Sequence, residues 1–412
     1  MTGNRHPVTA LTARRLTLPA LAALAAGALA TLAPGPASAS TSLSVINASL
    51  SSVSCTAASD CMAVGAVQEM RSGSFQFFPL AEHWNGSAWT VLPTPGPRHP
   101  GGGDLLSSVS CTSSTSCLAV GQIQAVPPGG FTIQHTFSES WNGTAWRIVP
   151  TPTMPPHTGA LLNSVSCTST SDCMAVGNMG TAQNPTKFTL AEHWNGTAWT
   201  VVGTPPTPGG TGLGAVYCTS PSACMTAGFA SLNDGTGTQL TLAEQWNGTA
   251  WQRRTTPTPG SSGFLGGVAC TSAAACIAVG GHETPGHFLV NLSEQWNGTG
   301  WKVLATPNPR GFGVSTMGGI SCTGPSNCMG VGSWTDPTGE SSFNLAEAWN
   351  GTSWNILRTP DPGSTNNELF GISCTSPSNC MAVGDFIGIG NGMTLAESWN
   401  GTRWSIVKTP RP

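Results

Sequence analysis

Short segments in which apolar and polar residues alternate follow one another along most of the chain. In one clear example they cover residues 162–168, 173–177, 188–195 and 197–202, and glycine, proline, serine or asparagine bounds each segment. Alternation with a period of two, in runs rich in β-branched and aromatic residues, predicts β-strands. No stretch after residue 39 shows a convincing helical period. The pattern predicts an all-β chain of short strands.

The four-strand group recurs seven times between Ser52 and Pro410. Each copy carries a Cys-x5-Cys pair, then Glu-x-Trp-Asn-Gly-Ser/Thr-x-Trp and Thr-Pro, and the first cysteines of successive copies lie 51 to 56 residues apart. A unit of this size cannot bury a core alone, so the repeats are expected to stack on one another. The repeats are placed at about 50–98, 105–154, 161–208, 212–259, 264–309, 316–362 and 368–412.

All fourteen cysteines belong to these pairs. We expect each pair to form a disulfide across adjacent antiparallel strands, which would contribute about 2 kcal/mol per bridge. The predicted bridges are Cys55–Cys61, Cys111–Cys117, Cys167–Cys173, Cys218–Cys224, Cys270–Cys276, Cys322–Cys328 and Cys374–Cys380. No repeated histidine accompanies the cysteines, so neither a metal nor another cofactor is expected.

The N-terminal segment predicts export. Residues 1–39 combine three arginines and no acid with an apolar run and a small-residue cleavage site, as in a signal peptide. Removing them changes the formal charge from 15 − 18 = −3 to 12 − 18 = −6, which does not suggest a nucleic-acid partner. No later apolar segment has spanning length. The mature chain, 40–412, is therefore expected to be one secreted, extracellular, monomeric domain without a membrane anchor.

Seven four-stranded units of about 52 residues resemble the blades of a β-propeller. The repeat length is similar to that of kelch repeats, although their double-glycine signature is absent. The Trp-Asn-Gly-Thr-x-Trp blades resemble those of a group of secreted bacterial repeat proteins. The resemblance covers Ser52 to Pro410 and implies a seven-bladed β-propeller with one disulfide per blade.

Residues 41–48 resemble residues 402–409 position by position. They therefore suggest an extra fourth strand. Such a strand would pair beside the first or the last blade as a clasp between the termini, and the alternative is a spacer after the signal.

The Asn-Gly dipeptides are expected to form two-residue type I′ turns. Such a turn would place Glu82 opposite Trp89, with Trp84 on the same sheet face, and would repeat as Glu192, Trp194 and Trp199. Indole faces beside an acceptor suit sugar rings, and Trp-x-Gly-x-x-Trp resembles the blades of fucose-binding propeller lectins. Those lectins place the acid three residues before the tryptophan, whereas here it is two, and no repeated arginine is present. The alternative is structural, with the tryptophans filling the space between blades and each glutamate accepting an indole or backbone N–H.

Variation among the repeats concentrates on the second connection of each unit, which should lie on the face opposite the cysteine and Asn-Gly turns. We call this the variable-loop face: residues 66–79, 122–137, 178–189, 229–241, 281–291, 333–344 and 385–394. Loops held by a rigid scaffold are natural binding sites, and Trp334 is a candidate contact there. The alternatives are that these loops vary without functional constraint and that Trp334 covers the end of a blade.

The functional hypotheses follow from these features. The first is a non-catalytic scaffold that binds a protein or glycan on the variable-loop face. The alternative is a multivalent lectin that uses the Trp/Glu hairpins. Since no catalytic constellation stands out, a polysaccharide hydrolase or lyase with two non-repeated acids facing each other across a central funnel is a third hypothesis.

Overall fold

Twenty-eight β-strands make up the part of the chain that the computed structural model describes. That part comprises residues 44–71, 74–96, 103–125, 133–155, 158–181, 184–207, 209–232, 236–388 and 390–412. The predicted signal peptide, 1–39, lies outside the described residues.

The strands group into seven blades of four. Blade 1 contains β1 (Ser44–Ala57), β2 (Asp60–Arg71), β3 (Ser74–Trp84) and β4 (Trp89–Leu92), and blade 2 contains β5 (Leu105–Ser113), β6 (Ser116–Ala125), β7 (Ile133–Trp141) and β8 (Trp146–Ile148). Blade 3 contains β9 (Thr158–Ser169), β10 (Asp172–Thr181), β11 (Asn184–Trp194) and β12 (Trp199–Val202), and blade 4 contains β13 (Thr211–Ser220), β14 (Ala223–Ser231), β15 (Gln239–Trp246) and β16 (Trp251–Arg254). Blade 5 contains β17 (Ser262–Ser272), β18 (Ala275–Glu283), β19 (Leu289–Trp296) and β20 (Trp301–Leu304), and blade 6 contains β21 (Ser315–Gly324), β22 (Asn327–Thr335), β23 (Ser342–Trp349) and β24 (Trp354–Leu357). Blade 7 contains β25 (Asn367–Ser376), β26 (Asn379–Ile387), β27 (Gly392–Trp399) and β28 (Trp404–Ile406).

Each blade is an antiparallel meander whose strands pair in chain order. The first strands of neighbouring blades contact one another, which makes them the inner strands of a ring. This arrangement is a seven-bladed β-propeller, as the repeat length and the strand pattern predicted. Each predicted segment of blade 3 overlaps one strand, but β11 ends at Trp194 and β12 begins only at Trp199. The first three strands extend further towards the variable-loop face.

The hydrophobic core lies between blades rather than within them. One cluster joins Val64 and Ala81 of blade 1 to Leu106 and Trp146 of blade 2, and equivalent clusters lie in the other blade interfaces, including that between blades 7 and 1. The stacking that was inferred from unit size is therefore the source of most apolar burial.

Serine hydroxyls connect the inner strands of adjacent blades. Ser52 and Ser54 of blade 1 accept hydrogen bonds from the backbone N–H groups of Val109 and Cys111 in blade 2, at 3.3 and 3.0 Å. The same pattern joins blades 2 to 3 and 3 to 4. Between blades 7 and 1, where the ring closes, Ser373 accepts one such hydrogen bond from the N–H of Cys55 at 3.0 Å. The Ser-x-Ser-Cys motif is thus an interblade contact, a role that its local sequence does not reveal.

One glycine per blade is required by the close approach of the inner strand. Gly177, on β10, pairs with Leu162 next to an irregularity in the β9–β10 register. A Cβ atom at Gly177 would collide with the carbonyl oxygen of Leu161, and the same backbone collision would occur at the equivalent glycine of every blade. These are Gly65, Gly121, Gly177, Gly228, Gly280, Gly332 and Gly384.

Gly177→Ala is therefore expected to destabilise the protein by about 3 kcal/mol, the upper part of the range for overpacking, because backbone rather than a flexible side chain must move. Chemical denaturation followed by tryptophan fluorescence measures the change. Gly300→Ala is the control, because a Cβ there meets nothing within 4 Å and four other blades carry alanine at this position. Equal stability of the two variants would contradict the steric explanation.

Residues 44–48 of the N-terminal segment do not form a separate fourth strand. Its described part, Ser44 to Ala48, begins β1 and continues the ladder with β2, with Ser44 opposite Met70. The outer side of β27 is already occupied by β28. The segment nevertheless connects the two ends of the ring, because Asn47 forms a bridge to Gly392 and its Oδ1 accepts from the Gly392 N–H at 2.8 Å.

All seven predicted disulfides are formed, and each joins directly opposite residues of the first two strands of a blade. Their Cα atoms lie 3.9 to 4.0 Å apart. No cysteine is free. This cysteine usage is typical of proteins that reside in an oxidising compartment.

Candidate functional site

The Asn-Gly hairpin differs from the predicted two-residue turn. Trp84 is opposite Trp89, and Glu82 is opposite Val91, so four residues separate the paired tryptophans. Asn85 uses its side-chain Oδ1 to accept from the N–H groups of Ser87 and Ala88, at 3.0 and 2.9 Å. Gly86 has a positive φ of 90°, whereas the asparagine does not. An asparagine that bonds its own turn through the side chain replaces the type I′ geometry, and the predicted Glu82–Trp89 pairing is wrong.

The repeated glutamates are fully buried. Glu82, Glu139, Glu192, Glu244, Glu294, Glu347 and Glu397 are each 0 % exposed. Burial raises their pKa from the ordinary 4.5 to about 7 for Glu192 and Glu244 and to about 8 for the other five. No indole N–H is donated to them in the described part of the chain. No backbone N–H is donated to them there either, so the predicted hydrogen bond from an indole or backbone N–H to each glutamate is wrong.

The two tryptophans of each hairpin have different partners. The first donates its Nε1–H to a backbone carbonyl in the disulfide loop of its own blade, as Trp84 does to Ala58 at 3.2 Å. The second is 4 to 9 % exposed in every blade and packs against the preceding blade. Trp199 donates to Ser138 Oγ of blade 2 at 3.2 Å, and Trp354 repeats this bond to Ser293 at 3.1 Å.

The burial of these side chains limits the surface that the hairpins could present to a sugar. Glu82, Trp89, Glu192 and Trp199 present almost no surface. Trp84 and Trp194 are half-buried, as is Trp141, whereas the first tryptophans of blades 4 to 7 are 3 to 9 % exposed. The proposed sugar site therefore remains a prediction that depends on the first tryptophan of blades 1 to 3.

Among the described residues, most of the exposed aromatic side chains lie on the variable-loop face. Phe75, Phe188 and Phe288 are 59, 43 and 57 % exposed and belong to the long second hairpins of blades 1, 3 and 5. Their positions within the hairpins are not equivalent. They therefore form features of single blades on an otherwise repeated scaffold.

Trp334 lies on the same face, but it is half-buried. Its ring stacks on Phe343 of the paired strand with centroids 4.5 Å apart, and it packs against the core between blades 5 and 6. Trp334 covers the end of its blade interface, and only part of its surface is exposed.

Two non-repeated acids lie next to each other on blade 7. Glu368 of β25 is directly opposite Asp385 of β26, which places them on neighbouring strands rather than across a funnel. Burial raises the pKa of both, that of Asp385 to about 6, and the negative charge of Glu368 adds to the shift of Asp385. The sequence contains both acids, but only the strand register brings them together.

Other titratable groups form pairs rather than centres. His83 contacts Asp60 and His193 contacts Asp172, at 2.8 and 3.1 Å, on the disulfide side of blades 1 and 3. Within the described ranges no three side chains of histidine, cysteine, aspartate or glutamate are grouped as metal ligands. The described residues also include no helix that is long and apolar enough to span a membrane.

Comparison with known proteins places the chain in a class defined by fold. No protein-family model matches it, and no curated protein matches it in sequence. An ulvan lyase of polysaccharide lyase family PL25, solved bound to a GlcA(1-4)Rha3S saccharide, is 9 % identical with a TM-score of 0.54, covering 85 % of this chain and 94 % of the lyase. Tricorn protease is 6 % identical with a TM-score of 0.51, covering 90 % of this chain and 35 % of the protease. At these identities the similarity shows the propeller architecture alone.

Proposed function

We propose that the protein is a secreted, non-catalytic binding scaffold that presents its variable-loop face to a protein or glycan ligand. The observation that supports this most directly is the distribution of exposed aromatics. Phe75, Phe188 and Phe288 are exposed on that face, whereas the repeated glutamates are engaged in blade packing. Exposed aromatic side chains held on a rigid scaffold are suited to ligand contact. The seven disulfides fit an extracellular location.

A lectin is the second candidate, supported by the half-buried tryptophans Trp84, Trp141 and Trp194. This candidate predicts three equivalents of sugar per chain rather than seven, because the corresponding tryptophans of blades 4 to 7 are almost fully buried. A hydrolase or lyase is the third candidate, and only the Glu368–Asp385 pair supports it.

The test is a screen of the purified, oxidised protein on arrays of glycans and cell-wall polysaccharides and against candidate extracellular proteins. For any ligand found, Phe75→Ser with Phe288→Ser is compared with Val91→Ser with Val201→Ser, whose parent side chains are 40 and 50 % exposed on outer strands. The scaffold proposal expects at least tenfold weaker binding for the phenylalanine variant and unchanged binding for the valine variant.

Other outcomes favour the alternatives. Binding of three sugars per chain that falls to one in the variant with Trp84→Phe and Trp194→Phe, but is kept in the variant with Phe75→Ser and Phe288→Ser, would overturn the scaffold proposal in favour of the lectin. Turnover of a polysaccharide that Glu368→Gln abolishes would favour the enzyme.

A further inference from the structure

The seven buried glutamates lie in the blade interfaces almost without positive charge around them. Each is 0 % exposed. In the described part of the chain the one cation near any of them is Arg253, whose Nη2 is 3.9 Å from Glu244 Oε1. Arg253 occupies the outer-strand position opposite the glutamate, where the other blades carry valine or isoleucine. Six of the seven carboxyl groups therefore lack a cationic partner among the described residues.

The polar contacts of these glutamates come from the preceding blade. Asn291 of blade 5 donates its Nδ2–H to Glu347 Oε1 of blade 6 at 2.8 Å, and Asn344 of blade 6 donates likewise to Glu397 of blade 7 at 2.8 Å. Both asparagines lie three residues before the glutamate of their own blade. In each case the second carboxyl oxygen has no hydrogen-bond partner among the described residues.

Threonine takes the place of asparagine at other interfaces. The hydroxyls of Thr136, Thr241 and Thr394 lower the pKa of the glutamate in the next blade, although their geometry falls short of a full hydrogen bond. Thr394 acts on Glu82, so the contact also spans the closure between blades 7 and 1. A neutral hydroxyl or amide offsets part of the cost of burial but supplies no compensating charge.

The interface between blades 1 and 2 provides the fewest polar contacts for its buried glutamate, Glu139. Pro79 occupies the donor position there, and neither carboxyl oxygen of Glu139 has a partner in the described structure. A carboxylate ion in such a site would carry an uncompensated buried charge, which is far more costly than a buried neutral acid. The uncharged form is therefore the one that this packing accepts.

We propose that the folded propeller holds these glutamates as uncharged carboxylic acids, and that loss of their protons to solvent weakens the blade interfaces, so that the ring is a pH-sensitive assembly. The folded ring is more stable at acidic pH and less stable at alkaline pH. The shared position of the seven acids makes their effects act in the same direction on every interface.

The direction of the pH dependence follows from the pKa shifts. The pKa of these acids rises from 4.5 to between about 7 and about 8 on folding, so the folded protein binds more protons in this interval. Stability is then fully present below about pH 4.5 and is lost as the pH rises through 7 to 8. Arg253 lowers the pKa of Glu244 and Asp361 raises that of Glu397, and these are the charged groups that face the seven acids in the described structure. Asp361, Glu368 and Asp385, whose pKa burial also raises, act in the same direction as the seven glutamates. His282, whose pKa burial lowers, acts in the opposite direction.

The test measures the melting temperature of the oxidised protein between pH 5 and pH 9, together with the infrared carbonyl band of protonated carboxyl groups. We expect the melting temperature to fall across this range and the band to be present at pH 6 and lost by pH 9. Glu139→Gln and Glu347→Gln each keep a neutral side chain of the same shape, so each should remove about one seventh of the part of the fall that the seven glutamates contribute. Glu340→Gln, at an exposed position, is the matched control and should follow the wild type.

A melting temperature that is flat or rises from pH 5 to pH 9 would overturn the proposal. Glutamine variants that lose stability in parallel with the wild type would do the same. Should a variant fail to fold, the infrared spectrum of the wild type decides, because the absence of a protonated carboxyl band at pH 6 contradicts the proposal by itself.

Discussion

Refolding the protein with all seven disulfides reduced is expected to fail or to give a much less stable state. Each bridge closes a loop between cysteines six residues apart. A loop this small contributes about 2 kcal/mol in the chain-entropy model, so seven independent bridges would contribute about 14 kcal/mol. This is comparable to the whole stability of a typical domain.

The measurement begins from the unfolded state so that all seven disulfides are equally open to the reductant, since the second cysteine of each pair is buried and the first is buried only in blades 4 and 5. Cys173, for example, is 0 % exposed. The protein is unfolded in denaturant, reduced or left oxidised, and diluted, and the recovered β-structure is followed by circular dichroism and thermal melting. A single-bridge variant, Cys218→Ser with Cys224→Ser, should lose only about 2 kcal/mol.

Efficient refolding of the reduced chain would show that the fold does not depend on the disulfides. If the reduced chain refolded with a melting temperature within a few degrees of the oxidised protein, blade packing alone would be sufficient. The disulfides would then protect the folded state rather than create it.

Trp199→Ala is expected to destabilise the protein by about 3–5 kcal/mol, the range for removing a large buried aromatic side chain. Trp199 is 5 % exposed, lies 5.7 Å from Trp194 between ring centroids, and donates to Ser138 of the preceding blade. Its loss would leave a cavity in the interface between blades 2 and 3. Denaturant unfolding measures the change in the free energy of unfolding, with one slope against denaturant concentration used for the wild type and the variant.

Phe75→Ala is the matched control for this variant. Phe75 is 59 % exposed, so its removal should change stability by no more than about 0.5 kcal/mol. An unchanged stability of Trp199→Ala combined with a loss of sugar binding would contradict the packing role and support the lectin. A loss of stability at Trp199 and a loss of ligand binding at Phe75 would support the division of roles proposed here.

Several features were accessible from sequence because they depend on neighbours along the chain. The four strands of blade 3, the disulfide of Cys167 with Cys173, and the hairpin at Asn195-Gly196 all follow from local spacing and from repetition. Even at short range one prediction failed, because Asn85 satisfies backbone donors through its side chain and so shifts the register of the two tryptophans. The strand pairing, not the turn dipeptide, determines which side chains are opposite.

Contacts between blades could not be predicted from the sequence. The sequence shows that Asn291 and Glu347 each recur at fixed positions, but their hydrogen bond joins residues 56 apart on separate blades. The same is true of the Ser138–Trp199 bond. A single sequence places such residues on a strand but gives neither the rotation between blades nor the depth of burial.

The sequence by itself determined the number of blades, their strands and their disulfides, because seven copies of a local pattern fix each unit through short-range geometry. Only the tertiary structure decided what the repeated Glu and Trp side chains do. Their burial depends on the blade that stacks against them, and that contact removes Glu82 and Trp89 from solvent while leaving Phe75 exposed.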